Sequence, residues 1–300
     1  MTGSDSTAGV EPVPAPPRAT LNATTMNAKV FVALPWQKQT NPMTAFCVMG
    51  LMDRRRTSTC LNFGDAFVAH SRNTCADLFL ASQCEWMLSI DDDMLIPFGN
   101  ARWFNAYAGT NLPEKFAGMN ALDRLLSHGK TLIGGLYWGR HKHGAAMYAE
   151  GAAIPKEAEY ARTAPIDLIK PTRWVATGCM LVHRSVFEAI EKRFPRLARR
   201  PDGKGGNWFT SSEHHILDRV DACRKMLSEG AMDGNKALKA LQLLETAASE
   251  ARNKSAMGMG EDVQFCVRAA EAGHQPFVDF GLVCGHIGHE VYGPWNTRRR

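Results

Sequence analysis

The sequence predicts an α/β fold, a mostly parallel sheet flanked by helices, on three observations. From residue 29 to residue 90, short β-prone runs alternate with helix-compatible segments, the rhythm of βαβ units. The third of those runs, Trp86–Ile90, passes directly into Asp91-Asp92-Asp93, and open α/β sheets place their ligands at the carboxyl ends of strands. With 45% hydrophobic and 22% charged residues, the 300-residue chain carries enough apolar material for a substantial core. That composition excludes a disordered chain, a collagen-like repeat and a disulfide-held miniprotein.

Each element has a local reason. Residues 1–27 hold four prolines and few large apolar residues, and read as a disordered arm before a single domain over 28–300. The first strand is Lys29–Leu34, which Pro35 is expected to stop. Pro42 suits the first turn of a helix over 42–52. Cys60–Val68 reads as a second strand, Arg72–Ser82 as a helix and Trp86–Ile90 as a buried strand. Thr131–Tyr137 is another strand, and Trp174–Val182 is an apolar run containing Gly178. Ser185-Val186-Phe187-Glu188 reads as a capping box, Ser185 accepting from the Glu188 N–H, which opens a helix that stops at Pro195. In 213–255, Ile216, Val220, Cys223 and Leu227 form one helical stripe. Ala237, Leu241, Leu244, Ala248 and Ala251 form another, with Gly230 and Gly234 between them, so an αα-hairpin is expected inside the α/β chain. A helix then runs from Glu261 to Gly273, a C-cap, and a strand over Pro276–Val283 leads into Cys284-Gly285-His286.

Several classes are excluded or disfavoured. No stretch reaches the roughly 18 apolar residues of a membrane span, and no basic start followed by an apolar run marks a secretory signal, so no membrane and a cytoplasmic location are expected. None of the eight cysteines forms a C-x-x-C pair, which disfavours a structural zinc site; they read as small buried hydrophobes with free thiols. The 35 Lys and Arg against 30 Asp and Glu give a net charge of +5, part of it in Arg298, Arg299 and Arg300. A weakly basic body permits nucleic-acid binding without arguing for it.

Three features carry chemistry. Adjacent carboxylates at Asp91, Asp92 and Asp93 repel one another, and a divalent cation bridging nucleotide phosphates would relieve that repulsion. In extended chain, Asp91 and Asp93 share a face and Asp92 turns away; the alternative is a solvated acidic loop. Gly260-Glu261-Asp262 at a helix start reads as an N-cap or as a general base at the rim of a pocket. His286 reads as a packed histidine, or as a neutral imidazole completing a metal site with the carboxylates.

These features belong to a longer pattern. Val30–Leu34 with Pro35 comes first, then Ser71-Arg72-Asn73, then Trp86–Ile90 with Asp91-x-Asp93-Met94. Gly134-Gly135-Leu136-Tyr137 and Thr177-Gly178-Cys179-Met180-Leu181 follow. Gly260-Glu261-Asp262-x-x-Phe265-Cys266 and Asp279 before Cys284-Gly285-His286-Ile287-Gly288 complete it. In order and rough spacing, from about residue 28 to 290, this resembles the GT-A glycosyltransferases, particularly their compact phage and bacterial members. The resemblance implies a GT-A, Rossmann-like mixed sheet, a nucleotide-sugar donor (a UDP-sugar is expected) and a divalent metal, Mn²⁺ or Mg²⁺. It implies that Asp91 lies near the ribose, and that Asp91, Asp93 and His286 are the metal ligands. Arg72 would face the nucleotide, Pro35 would lie in the first nucleotide loop, and Gly178 would let the backbone approach the donor sugar. Asp262 would be the base of an inverting transfer.

The chain departs from the pattern between Trp208-Phe209 and Gly260, where about fifty residues carry the expected hairpin instead of a short link. That module is expected to shape acceptor access or mediate self-association. His141-Lys142-His143 reads as an exposed basic loop or as a phosphate or acceptor contact. A sugar-nucleotide nucleotidyltransferase also uses strand-end aspartates, but normally has a Gly-rich loop after its first strand; here Leu34-Pro35-Trp36-Gln37 follows. A non-catalytic nucleic-acid binder would need a basic, aromatic face, and only Lys192–Lys204 qualifies in part. Together with the Arg298–Arg300 tail and the likeness to phage enzymes, that stretch makes a hydroxymethylated pyrimidine in DNA the expected acceptor, within a host cytoplasm. A polysaccharide or protein acceptor is the alternative.

Overall fold

The computed structural model describes residues 28–36, 40–52, 59–64, 68–108, 114–137, 168–195, 205–210, 238–239, 242, 244, 260–288 and 291–292. One sheet has seven strands, in spatial order β2 (Thr59–Gly64), β1 (Val30–Trp36), β3 (Trp86–Ile90), β7 (Cys179–His183), β5 (Leu132–Leu136), β8 (Phe277–Val283) and β6 (Ile169–Pro171). β1 pairs in parallel with β2 and β3, and β5 with β8. β7 runs antiparallel between β3 and β5, and β6 is antiparallel to β8 at the edge. The sheet is therefore mixed and mostly parallel in direction. β3 and β5 are buried throughout, which is why they read in sequence as unbroken apolar runs. A second sheet, of three short strands in the order β10 (Val291–Tyr292), β9 (Gly285–Ile287) and β4 (Met94–Leu95), lies beside the first.

The helices described are α1 (Pro42–Leu51), α2 (Val68–Ala81), α3 (Ala101–Ala108), α4 (Glu114–Ala117), α5 (Ala121–Ser127), α6 (Arg184–Arg193) and α7 (Glu261–Glu271). α1 has Pro42 in its first turn, as expected, and Asn41 as N-cap, its side chain accepting from Met43 N at 2.9 Å. At the end of α7, Gly273 adopts φ +93°, the left-handed conformation that closes a helix.

Four local expectations need correction. β1 continues through Pro35, which pairs with Phe63. The β1–β3 ladder ends at Ala33, so beyond it proline occupies a strand with one open side, where its missing N–H is tolerated. β2 ends at Gly64, and Val68 already belongs to α2, a turn before the expected start at Arg72. The capping box does not form: His183, the last residue of β7, is the N-cap of α6, its Nδ1 accepting from Ser185 N at 3.2 Å. Asp91–Met94 is a turn rather than extended chain, with Met94 N donating to Asp91 O at 3.3 Å. Of the expected hairpin, Leu238, Lys239, Gln242 and Leu244 are helical and exposed; the remainder of 213–255, residues 1–27, and 138–150 with His141-Lys142-His143 lie outside the described residues.

Two buried polar assemblies set the framework. Asp279, with no exposed surface, receives Arg124 Nε at 2.6 Å and Arg124 Nη2 at 2.9 Å, and pairs with His128 Nε2 at 2.8 Å. Its Oδ1 also accepts from Gly281 N and Leu282 N. It thereby stabilises the irregularity where the β8 partner of β5 jumps from Asp279 to Val283, and joins α5 to that strand. Arg184 caps the carboxyl end of α2, donating to the carbonyls of Phe79, Leu80, Ser82 and Cys84. The six described cysteines with side chains in view are all free and buried, and burial pushes the Cys47 thiol up to about 11, consistent with inert packing.

Burial disfavours the charge on Asp279, but its bonds to His128 and Arg124 prevail and hold its carboxyl below the ordinary range. The stability this provides is present above the ordinary carboxylate pKa and is lost as pH falls through the depressed value. Asp279→Ala removes a fully buried carboxylate and with it the ion pair to the part-buried Arg124, so it should destabilise the fold by about 3–5 kcal/mol at neutral pH. The difference from wild type should shrink in acid, as measured by urea unfolding at several pH values.

Candidate active site

The chain topology gathers the site at one end of the large sheet. β1, β3, β5 and β8 all deliver their carboxyl ends there, leading to Pro35, Asp91, Tyr137 and Cys284. β7 runs the other way, with Cys179 beside Ile90, so its amino end brings Thr177 and Gly178 to the same edge. One antiparallel strand thus adds a loop to a rim otherwise made of strand ends.

Arg72 is the electrostatic centre. It lies on α2 with 7% of its surface exposed, and donates through Nη2 to Asp91 Oδ1 at 2.7 Å and through Nη1 to Glu261 Oε1. Burial alone would favour loss of its proton, but Asp91, Glu261 and Asp262 hold the guanidinium firmly charged. Its Nε is buried with no hydrogen-bond partner among the described residues. The neighbouring residues on α2 fix its position. Asn73 exchanges two hydrogen bonds with the backbone of Phe209, at 3.0 and 2.7 Å. Asp77 accepts from Gly206 N and Trp208 Nε1. From the opposite side, Arg268 of α7 donates to the carbonyls of Asn207 and Trp208, and Phe209 stacks on Phe265 at 4.6 Å. The Trp208-Phe209 pair therefore packs against the helix that Gly260-Glu261-Asp262 opens.

Asp262 sits at the start of α7, where Gly260 is the N-cap and has no side chain to offer. Its Oδ1 accepts from Val263 N at 2.8 Å, and a Cβ on Gly260 would lie 2.8 Å from that oxygen, so glycine leaves room for the carboxylate. Burial raises the Asp262 carboxyl above the ordinary range, against the opposing pull of Arg72. A carboxylate with an elevated pKa has the proton affinity that a general base needs.

The small sheet holds the third part. Met94 pairs with His286 across β4 and β9, and Ile287 N donates to Asp93 O at 2.7 Å. His286 Nε2 lies 3.3 Å from Asp93 Oδ2, with 13% and 17% of the two side chains exposed. Asn41 N donates to Asp92 O, which ties the start of α1 to the same turn. Tyr137, 5% exposed, meets His286 edge-on at 5.6 Å between ring centroids. Gly178 N donates to the Tyr137 hydroxyl at 3.4 Å. A Cβ on Gly178 would come within 2.9 Å of the phenol oxygen and 3.0 Å of Met94 Sδ, so glycine is needed there for packing. Burial, then Asp91 and Asp262, push the Tyr137 phenol up.

The residues singled out in sequence thus separate into two groups. Arg72, Asp91 and Asp262 share one electrostatic cluster, which Glu261 completes; Asp93 and His286 form the other pair, with Tyr137 and Gly178 adjoining. Among the described residues, no three His, Cys, Asp or Glu side chains converge closely enough to hold a metal ion by themselves. The Asp93–His286 pair nevertheless fits a divalent ion as two of its ligands. An oxygen and an imidazole nitrogen 3.3 Å apart lie near the roughly 3 Å between adjacent ligands of an ion bonded at about 2.1 Å.

Glu261 and Tyr137 are the site neighbours that reading the residues one at a time misses. Glu261 looks like a first-turn acid and Tyr137 like the end of a buried strand; only the contacts with Arg72 and His286 reveal them.

No known protein family matches the sequence, and no curated protein matches it. Among solved structures, the chain is similar to the crystal structure of A197 from STIV, at 12% identity and a TM-score of 0.43, over 89% of this chain and 90% of that one. A likeness of that strength assigns no function.

If Asp93 and His286 are ligands, the protein should bind Mn²⁺, and His286→Ala and Asp93→Asn should each weaken binding at least about tenfold. Paramagnetic titration of the three proteins checks this.

Proposed function

We propose that the protein is a metal-dependent glycosyltransferase of GT-A type, moving a sugar from a nucleotide-sugar donor to an acceptor hydroxyl. The observation that carries this reading is the placement at one sheet edge of the Asp93–His286 pair and of Asp262, a part-buried carboxylate of raised pKa, with Arg72 charged near it. A sugar transfer from a diphosphate needs these functions together: compensation for the anionic leaving group and a base for a weak hydroxyl nucleophile.

Asp93 and His286 would hold the divalent ion, which supplies positive charge to a departing diphosphate. Arg72 keeps Asp91 and Glu261 compensated. Asp91, partly exposed at the end of β3, would accept from a ribose hydroxyl. In an inverting transfer, Asp262 accepts the proton of the acceptor hydroxyl as that oxygen bonds to the anomeric carbon. The bond from that carbon to the phosphate oxygen breaks, and the nucleoside diphosphate leaves with the electron pair.

The proposed acceptor is a hydroxymethylated pyrimidine in DNA. Lys192 and Arg193 are exposed at the end of α6, where the basic stretch begins; Arg196, Arg199, Arg200 and Lys204 lie outside the described residues. Among the described residues, no helix is long and apolar enough to cross a membrane.

Hydrolysis of UDP- and GDP-sugars, with and without Mn²⁺, tests the activity: turnover of at least one donor that a chelator abolishes is expected, and no turnover of any would overturn the reading. Asp262→Asn should lower kcat at least about 100-fold with donor affinity little changed. Wild-type activity should be lost as pH falls through a value above the ordinary Asp pKa of about 4. Because a raised carboxyl pKa means that ionisation opposes folding, the Asn variant should be no less stable than wild type at neutral pH.

If DNA is the acceptor, binding should weaken steeply with salt. Replacing Arg196, Arg199 and Arg200 together with Ala should reduce the slope of log affinity against log salt by about two to three. Fluorescence anisotropy over a salt series measures it, and a slope unchanged by the triple substitution would point to a carbohydrate or protein acceptor.

A further inference from the structure

Tyr137 has no part in the mechanism so far, yet it stands between its two halves. Its ring rests edge-on against His286, and it lies within electrostatic reach of Asp91, Arg72 and Asp262. The phenol is nineteen-twentieths buried, and its oxygen accepts a hydrogen bond from Gly178 N at 3.4 Å. The phenolic proton has no acceptor among the described residues. A neutral phenol can give that proton to a ligand oxygen, and phenols stay neutral well above physiological pH. A buried donor left unused is costly, so such groups mark places where a ligand supplies the acceptor.

The identity of the ligand oxygen follows from position, given the glycosyltransferase reading, on which this step rests. In a nucleotide sugar, the anomeric carbon is bonded to the diphosphate and attacked by the acceptor. The transferred sugar must therefore lie between the metal side of the cleft, at Asp93 and His286, and the base side, at Asp262. Tyr137 touches the first and lies within electrostatic reach of the second. The neighbouring Gly178 keeps the phenol in place, since a Cβ there would strike both the phenol and Met94. We propose that the Tyr137 hydroxyl donates a hydrogen bond to a hydroxyl or ring oxygen of the transferred sugar, and so selects the intact nucleotide sugar over the bare nucleoside diphosphate.

The test separates sugar recognition from packing. Wild type, Tyr137→Phe and Gly178→Ala are titrated calorimetrically, in Mn²⁺, with UDP-glucose, UDP-galactose and GDP-mannose, and with bare UDP and GDP. Phe keeps the ring against His286 and removes only the hydroxyl; Ala at 178 displaces the phenol. For the donor that wild type binds, both variants should lose about three- to tenfold in affinity, while affinity for the matching bare diphosphate stays within about twofold. An equal loss for both ligands would show that Tyr137 only supports His286, and would overturn the proposal. Unchanged affinity of Tyr137→Phe for the nucleotide sugar would overturn it as well. Wild type binding none of the five ligands would refute the glycosyltransferase reading itself, and this proposal with it.

Discussion

A guanidinium buried between carboxylates from distant parts of the chain holds this corner of the sheet in shape. Arg72 comes from α2, Asp91 from the end of β3 and Glu261 from the first turn of α7. A buried cation without partners would be expelled or unfold its surroundings. Much of the surrounding architecture fixes the helix that carries it. Arg184 caps the far end of α2, Asn73 and Asp77 strap residues 205–210 across it, and Arg268 holds the same strap from α7. Three elements separated by nearly two hundred residues are thereby locked at one corner of the sheet.

That lock divides the chemistry of the site. With Arg72 attached to Asp91 and Glu261, Asp262 is the acid of this cluster whose burial outweighs its compensation, and its proton affinity rises accordingly. Asp93 is turned the other way by the tight turn at Asp91–Met94, towards His286 on the small sheet. Two neighbouring aspartates therefore serve different partners. The amino end of β7 and the phenol of Tyr137 pack beside His286, and one glycine, Gly178, makes that packing possible.

The main strands were legible because their burial on both faces leaves unbroken apolar runs, as at Trp86–Ile90 and Leu132–Leu136. Expected site residues Arg72, Asp91 and Asp262, and separately Asp93 and His286, do fall together in space. The rest depends on information that local sequence does not contain. β4 and β9 have two and three residues, too short for any periodicity, and exist because they pair with each other. α3, α4 and α5, between Met94 and Lys130, have eight, four and seven residues, too few for a sustained helical period to show in the sequence. The capping box at Ser185 failed because His183, delivered by the end of β7, reached the helix start first. The extended-chain rule placed Asp91 and Asp93 on one face, whereas a backbone bond from Met94 to Asp91 bends the segment into a turn. Glu261 was invisible as a partner of Arg72 because 189 residues separate them.

The claim on which the functional account turns is that Asp93 and His286 bind a metal beside a nucleotide. Crystals grown with Mn²⁺ and UDP, measured at the manganese absorption edge, address it directly. One anomalous peak is expected within about 2.5 Å of both Asp93 Oδ2 and His286 Nε2, with the diphosphate on its open side and the nucleoside towards Asp91. A nucleotide bound elsewhere, or an ordered nucleotide in this cleft with no manganese between Asp93 and His286, would contradict it.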